Sequence, residues 1–148
     1  MLQENIKEVL IFIAEELNKE KINWMLIGSV NLALQGMSLS PNDIDISVGI
    51  SDSKKVKNIF DKYKILSNTI LKNKEAEENT YIIQGVEVQF CFEYKHGFYY
   101  KFLESNNKLK IKIGLIDIFC NPLEREIEAY THLGRKEKAE DIKIFQKI

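Results

Sequence analysis

Three observations predict an α+β (α/β-type) fold, a mixed β-sheet flanked by helices. Apolar residues recur at helical spacing at both ends of the chain, strand-like alternation fills the middle, and no linker or repeat divides the two. At 148 residues the chain has the size of one domain whose core needs no disulfides. With 45% hydrophobic residues, and 21 Lys+Arg against 22 Asp+Glu, it is too apolar and too balanced to be disordered.

The first element is a helix over 2–20, where Leu2, Ile6, Val9, Leu10, Ile13 and Leu17 form one stripe. Residues 22–27 (INWMLI) are long enough for a buried strand and too short for a helix. Gly28-Ser29 ends that strand, and Val30 to Gln35 form a short helix stopped by Gly36. The segment 38–43 (SLSPND) is a turn. Residues 43–48 (DIDISV) alternate as a strand, and Ser51-Asp52-Ser53 caps a helix over 53–62. The polar run 72–79 (KNKEAEEN) reads as a loop. From 80 to 113 the pattern is β throughout, including an aromatic strand at Phe98, Tyr99, Tyr100 and Phe102, with turns or bulges at Gly85 and Gly97. Pro122 opens a helix carrying Leu123, Ile127 and Tyr130. Gly134 separates it from a last helix with Ala139, Ile142 and Phe145 on one face. The expected organisation is one domain over 1–148, with a core at about 20–115 and a helical tail at about 121–148.

Composition narrows the function. No apolar run reaches the roughly 18 residues of a membrane span, and no secretory leader opens the chain. A net charge of −1 argues against gripping long stretches of nucleic-acid backbone, which leaves a basic footprint. Cys91 and Cys120 lie far apart without a CxxC, which predicts two free thiols in a reducing cytoplasm.

The chemistry gathers at two places. On a strand, residues two apart share a face, so Asp43 and Asp45 point together while Ile44 and Ile46 point into the core. Two adjacent carboxylates repel, and either exposure to water at an edge or a divalent cation offsets that repulsion. In Val86-Glu87-Val88-Gln89-Phe90, Glu87 lies opposite a strongly apolar face; if the two strands pair, three acids converge. Gly28-Ser29 sits at a strand-to-helix junction, where free backbone N–H groups and the helix dipole suit a phosphate.

A hydrophobic strand ending in Gly28-Ser29, then Asp43-Ile44-Asp45-Ile46 fourteen residues on, then a hydrophobic-Glu87-hydrophobic strand, resembles the nucleotidyltransferase superfamily of the DNA polymerase beta type. Its small stand-alone members are the most similar in size. The resemblance spans about 26–90, and the helices of 121–148 are similar to the short tail of such proteins. Leu39 and Pro41 stand where many small relatives have Arg and Thr, and Glu87 stands where many have Asp.

The resemblance implies a Mg²⁺-dependent enzyme that moves an NMP group, with AMP expected, from an NTP to an acceptor hydroxyl and releases pyrophosphate. Asp43 and Asp45 would hold two Mg²⁺ ions. Glu87 would complete the catalytic metal site and accept the hydroxyl proton. Gly28 and Ser29 would hold the β- and γ-phosphates. The acceptor would be a small hydroxylated molecule, a protein or a tRNA, and a second copy of the chain could close the cleft. The alternatives are a non-catalytic nucleotide-binding or antitoxin-like module of the same fold, and a structural domain with incidental acids.

Among the other residues, His96 and His132 have no partner at metal-ligand spacing and read as structural or surface groups, and Trp24 reads as core. Tyr99 or its neighbours could wall a base or acceptor pocket. Arg125 and Arg135 are the only arginines, and Arg135 follows Gly134 at a helix junction, a candidate nucleotide or acceptor contact.

Overall fold

The stripe of the first segment forms α1 (Glu4–Lys19), which buries Ile6, Val9, Leu10, Ile13, Ala14 and Leu17. The computed structural model describes residues 2–70 and 75–148. After α1 come β1 (Trp24–Ile27), α2 (Gly28–Leu34), β2 (Asp43–Gly49), a 3-10 turn (Ile50–Asp52) and α3 (Ser53–Ile59). Then follow β3 (Lys64–Ile70), β4 (Ala76–Ile83), β5 (Val86–Glu93), α4 (Tyr100–Leu103), β6 (Leu109–Ile113), β7 (Ile116–Cys120), α5 (Leu123–His132) and α6 (Lys136–Gln146).

The strands form one sheet in the order β3-β4-β5-β2-β1-β7-β6. β1 is antiparallel to β2, while β2–β5 and β1–β7 are parallel, so the sheet is mixed. Alternation divides its two faces. Trp24, Leu26, Ile44, Ile46, Val48, Val88, Phe90 and Phe92 pack against α1, Val56 of α3 and Phe60. The opposite face carries a smaller cluster of Met25, Ile27 and Cys91 with Phe102 and Leu103. Leu32 of α2 joins Tyr130 of α5 and Ala139 and Ile142 of α6 in a third cluster.

Four expectations need correction. The aromatic run is not a strand. The chain turns after Glu93, and Tyr100–Leu103 is helical. Phe98 and Phe102, four apart, pack edge to face at 5.2 Å, and Phe102 and Leu103 are buried. Gly97 belongs to that turn, where a Cβ would meet the Glu75 carbonyl oxygen at 2.5 Å. Second, residues 76–79 of the expected loop belong to β4, whose ladder with β5 runs back to the pair Ala76–Glu93. Residues 72–74 of that loop lie outside the described residues. Third, β3 and β7 had not been expected as strands. β3 is exposed at every position and so has no alternation to read. Fourth, α2 starts at Gly28 rather than Val30, and α3 ends at Ile59 and has no side-chain cap hydrogen bond. Elsewhere, Gly36 ends α2 with φ 105, and Gln84 (φ 50) with Gly85 (φ 82) makes the two-residue turn between β4 and β5.

No helix among the described residues is long and apolar enough to cross a membrane. Cys91 and Cys120 are free thiols, both buried. Trp24 is core at 0% exposure, and its indole N–H donates to Asn18 Oδ1 at 2.8 Å. Asn18 Nδ2 in turn donates to the Asp117 carbonyl at 3.0 Å, tying α1 to β7. Asn18→Ala strands a buried indole N–H and is expected to cost about 1–3 kcal/mol. Urea unfolding checks this, and a loss under about 0.5 kcal/mol would show that the bond contributes little.

Candidate functional site

Alternation along β2 and β5 sends Asp43, Asp45 and Ser47, with Glu87, Gln89, Cys91 and Glu93, to the face opposite α1. The two strands pair in parallel, with Asp43 beside Glu87 and Asp45 beside Gln89. On the other side Asp45 neighbours Ile27, the last residue of β1. Gly28 follows with φ +76, and a Cβ there would lie 2.6 Å from Asp45 Oδ2. Only a glycine lets the backbone pass so close to that carboxylate.

Asp43 and Asp45 are thus brought together, and Glu87 stands beside Asp43 on an exposed part of β5. Among the described residues, no three His, Cys, Asp or Glu side chains are grouped closely enough to hold a metal ion by themselves. The donors are all carboxylate oxygens. That set fits Mg²⁺, which uses one or two carboxylates and completes its shell with water and substrate phosphates. Burial, reinforced by Asp43, Glu126 and Glu78 and opposed by Arg135, raises the Asp45 carboxyl from 3.8 to about 7. Such a carboxylate gains from a cation.

The Gly28 N–H, offered by the sequence to a phosphate, is engaged within the protein. It donates to Glu126 Oε2 at 2.8 Å. The same oxygen accepts from Asn31 Nδ2 at 3.1 Å, and Oε1 accepts from Asn121 Nδ2 at 2.8 Å and from the Tyr99 hydroxyl at 3.5 Å. Glu126 is fully buried, and that burial raises its proton affinity against the pull of these donors. Sequence reasoning missed Glu126. The available signal was an acid inside the apolar stripe of α5, three residues after Leu123 and four before Tyr130.

A cavity of about 290 Å³ opens beside Gly28 and Asp45. Glu78, Cys91 and Glu93 line it from the sheet, Phe98 and Tyr99 from the turn before α4, and Arg135 from the α5–α6 junction. The Arg135 guanidinium also lies 5.1 Å from the Tyr130 ring. Arg125 instead stacks over Phe102 at 5.0 Å. His132 stacks on Phe98 at 4.2 Å and lies 3.2 Å from Glu75, a structural contact at the cavity rim. Burial, with Glu93, Glu78 and Asp45 nearby, pushes the Cys91 thiol well up and disfavours its thiolate.

Glu93 is 3% exposed and accepts the Ser47 hydroxyl at 2.5 Å. Burial, with Glu75 and Glu78 nearby, outweighs that bond and raises its carboxyl from 4.5 to about 8. The folded state therefore holds a proton that the unfolded chain releases, and stability falls as pH rises between those values. Glu93→Gln is expected to flatten the melting-temperature profile over that window. An unchanged slope would place the buried proton elsewhere.

No protein-family model and no curated protein matches the sequence. Among solved structures, a protein of Thermotoga maritima assigned as a nucleotidyltransferase matches with TM-score 0.75 and 26% identity, over 99% of this chain and 96% of that one. A nucleotidyltransferase-like antigen of Paracoccidioides brasiliensis matches with TM-score 0.63 and 12% identity, over 96% and 75%. The antibiotic-resistance factor ANT(2'')-Ia, in complex with adenylyl-2''-tobramycin, matches with TM-score 0.62 and 13% identity, over 94% of each chain. The last two share the fold. With the same architecture over nearly the whole of the Thermotoga chain, the protein belongs to the nucleotidyltransferase superfamily.

Proposed function

We propose that the chain is a single nucleotidyltransferase domain that transfers an NMP group, AMP in the first instance, from an NTP to an acceptor hydroxyl. The observation that carries this reading is the Asp43–Asp45 pair on one face of β2, with the Gly28 backbone against Asp45 and Glu87 in register with Asp43. The acceptor oxygen forms a bond to the α-phosphorus, the bond from that phosphorus to the α–β bridging oxygen breaks, and pyrophosphate leaves with the electron pair. Glu87 accepts the hydroxyl proton. Mg²⁺, as two ions held by Asp43 and Asp45 with Glu87 beside them, would neutralise the triphosphate and act as a Lewis acid. With the Gly28 N–H engaged by Glu126, the phosphate contacts in this reading fall to the Arg135 guanidinium, which lines the cavity, and to the Ser29 hydroxyl, at the second residue of α2 and outside the cavity lining.

The acceptor enters by the cavity beside Asp45. Its acidic lining offers acceptors to amino groups and little to a nucleic-acid backbone, and Phe98 and Tyr99 offer ring faces to such cations. A small hydroxylated amine is the acceptor class this lining suits. The buried free thiols fit a reducing cytoplasm.

The test is transfer of label from α-³²P-ATP, against γ-³²P-ATP, to a panel of amino-polyols with Mg²⁺. Label from the α position and release of pyrophosphate are expected. Label from the γ position would mean phosphoryl transfer instead. With no transfer to the panel or to a cell extract, the enzymatic reading fails and a nucleotide-binding module remains.

A further inference from the structure

Glu126 is a charged side chain with no contact to solvent, placed by the tail helix at the start of α2. Its four partners come from three parts of the chain: the Gly28 peptide and Asn31 of α2, Asn121 after β7, and Tyr99 before α4. As oriented all four donate, so an ionised carboxylate satisfies each of them, and a carboxamide does so only if Asn121 and Tyr99 turn to accept. Asn31 Nδ2 also donates to the Asn121 carbonyl at 2.8 Å, and so does Gln35 Nε2 at 2.8 Å, so the network closes on itself around α2. Gly28 lies between two carboxylates. Its N–H is held by Glu126, and its Cα faces Asp45 so closely that a methyl group would strike Oδ2. A shift of the Gly28 peptide therefore moves the wall against which Asp45 rests.

We propose that Glu126 is a positioning residue of the nucleotidyl-transfer site, fixing the Gly28 peptide against the Asp45 carboxylate and making the C-terminal helices a working part of that site. Glu126 touches neither nucleotide nor acceptor; it fixes Gly28, and through Gly28 the Asp45 carboxylate proposed to hold metal. The proposal rests on the nucleotidyltransferase reading for its functional half, and on the Glu126–Gly28 bond for its structural half.

Two variants test it. Glu126→Gln keeps the shape and loses the charge. It also turns an N–H₂ toward a donor, unless Asn121 rotates its amide and presents Oδ1, which is buried without a hydrogen-bond partner. Glu126→Asp keeps the charge and withdraws it from Gly28 by one methylene. Three measurements are made on each and on the wild type: thermal melting, amide hydrogen exchange at Gly28 by NMR, and calorimetric titration with Mg²⁺ and a non-hydrolysable ATP analogue.

The wild-type Gly28 amide is expected to be protected and shifted downfield by its carboxylate partner. Both variants are expected to exchange it at least about tenfold faster and to bind the Mg²⁺–nucleotide about 10–100-fold more weakly. In turnover, a rise in KM with a smaller fall in kcat marks misplacement of a binding group. Unprotected Gly28 in the wild type overturns the proposal even if neither variant folds. Wild-type binding in folded Glu126→Gln also overturns it, and leaves the nucleotidyltransferase reading intact. If instead the wild type binds no Mg²⁺–nucleotide while Gly28 protection depends on Glu126, the nucleotidyltransferase reading falls and the functional half of the proposal falls with it.

Discussion

Asp45→Asn is expected to give a protein that is more stable at pH 8 and inactive. The stability half follows from the raised carboxyl. The folded state holds the Asp45 proton up to about 7, against 3.8 in an ordinary aspartate, so ionisation costs the folded state. That cost builds up as pH rises between those two values and persists above them. An asparagine carries no such cost, and the expected gain is about 1–2 kcal/mol at pH 8, discounted for the partial exposure of the site. The activity half follows from the pair. Without Asp45, one carboxylate remains where two face the triphosphate, and transfer is expected to fall by about three orders of magnitude, or ~4 kcal/mol of barrier. Mg²⁺ is expected to raise the melting temperature of the wild type at pH 8 and to leave that of Asp45→Asn unmoved. A variant that retains transfer within tenfold of wild type ends the metal-pair reading, and one that melts below wild type at pH 8 contradicts the electrostatic account.

Gly28→Ala is expected to damage stability and nucleotide binding together. At φ +76 an alanine is strained by about 1–2 kcal/mol before any contact is considered. The added carbon would then sit 2.6 Å from Asp45 Oδ2. Relief requires moving either the carboxylate or the peptide whose N–H Glu126 holds. A total loss of about 2–4 kcal/mol is expected in denaturant unfolding, with loss of Mg²⁺–nucleotide binding. A double-mutant cycle identifies the partner. In an Asp45→Ala background the collision is absent, so Gly28→Ala is expected to cost only its backbone strain. Equal costs in the two backgrounds would show that the collision is not with Asp45.

The sequence disclosed those parts of the fold whose two faces differ chemically. β2 alternates acid and isoleucine because one face meets the core and the other the site, and β5 does the same through Val86, Glu87 and Val88. That pattern puts Asp43 and Glu87 on one face once the strands lie side by side, and the register that pairs them comes from the fold. β3 has no buried face and left no period. The aromatic run misled because β-propensity is a preference for a half-buried surface, and here the i,i+4 packing of Phe98 with Phe102 decided for a turn and a helix. The acids of the cavity were hidden by composition, since Glu75 and Glu78 sit in a polar stretch that resembles a loop. Glu126 was hidden by its neighbours in sequence, and its meaning lies in residues 98 positions away.

That separation has a consequence for how the molecule is made. β1 finishes its second edge only when β7 pairs beside it, Leu26 against Cys120. Contacts of such span are late events in folding, because the loop they close must be ordered first. A nascent chain that has emerged as far as β5 can already align Asp43 with Glu87, yet it carries an open strand edge and an unclaimed Gly28 amide. β7 closes the strand edge and α5 then brings Glu126 to the amide, so a chain halted before α5 would display its acids with the Gly28 peptide still unheld.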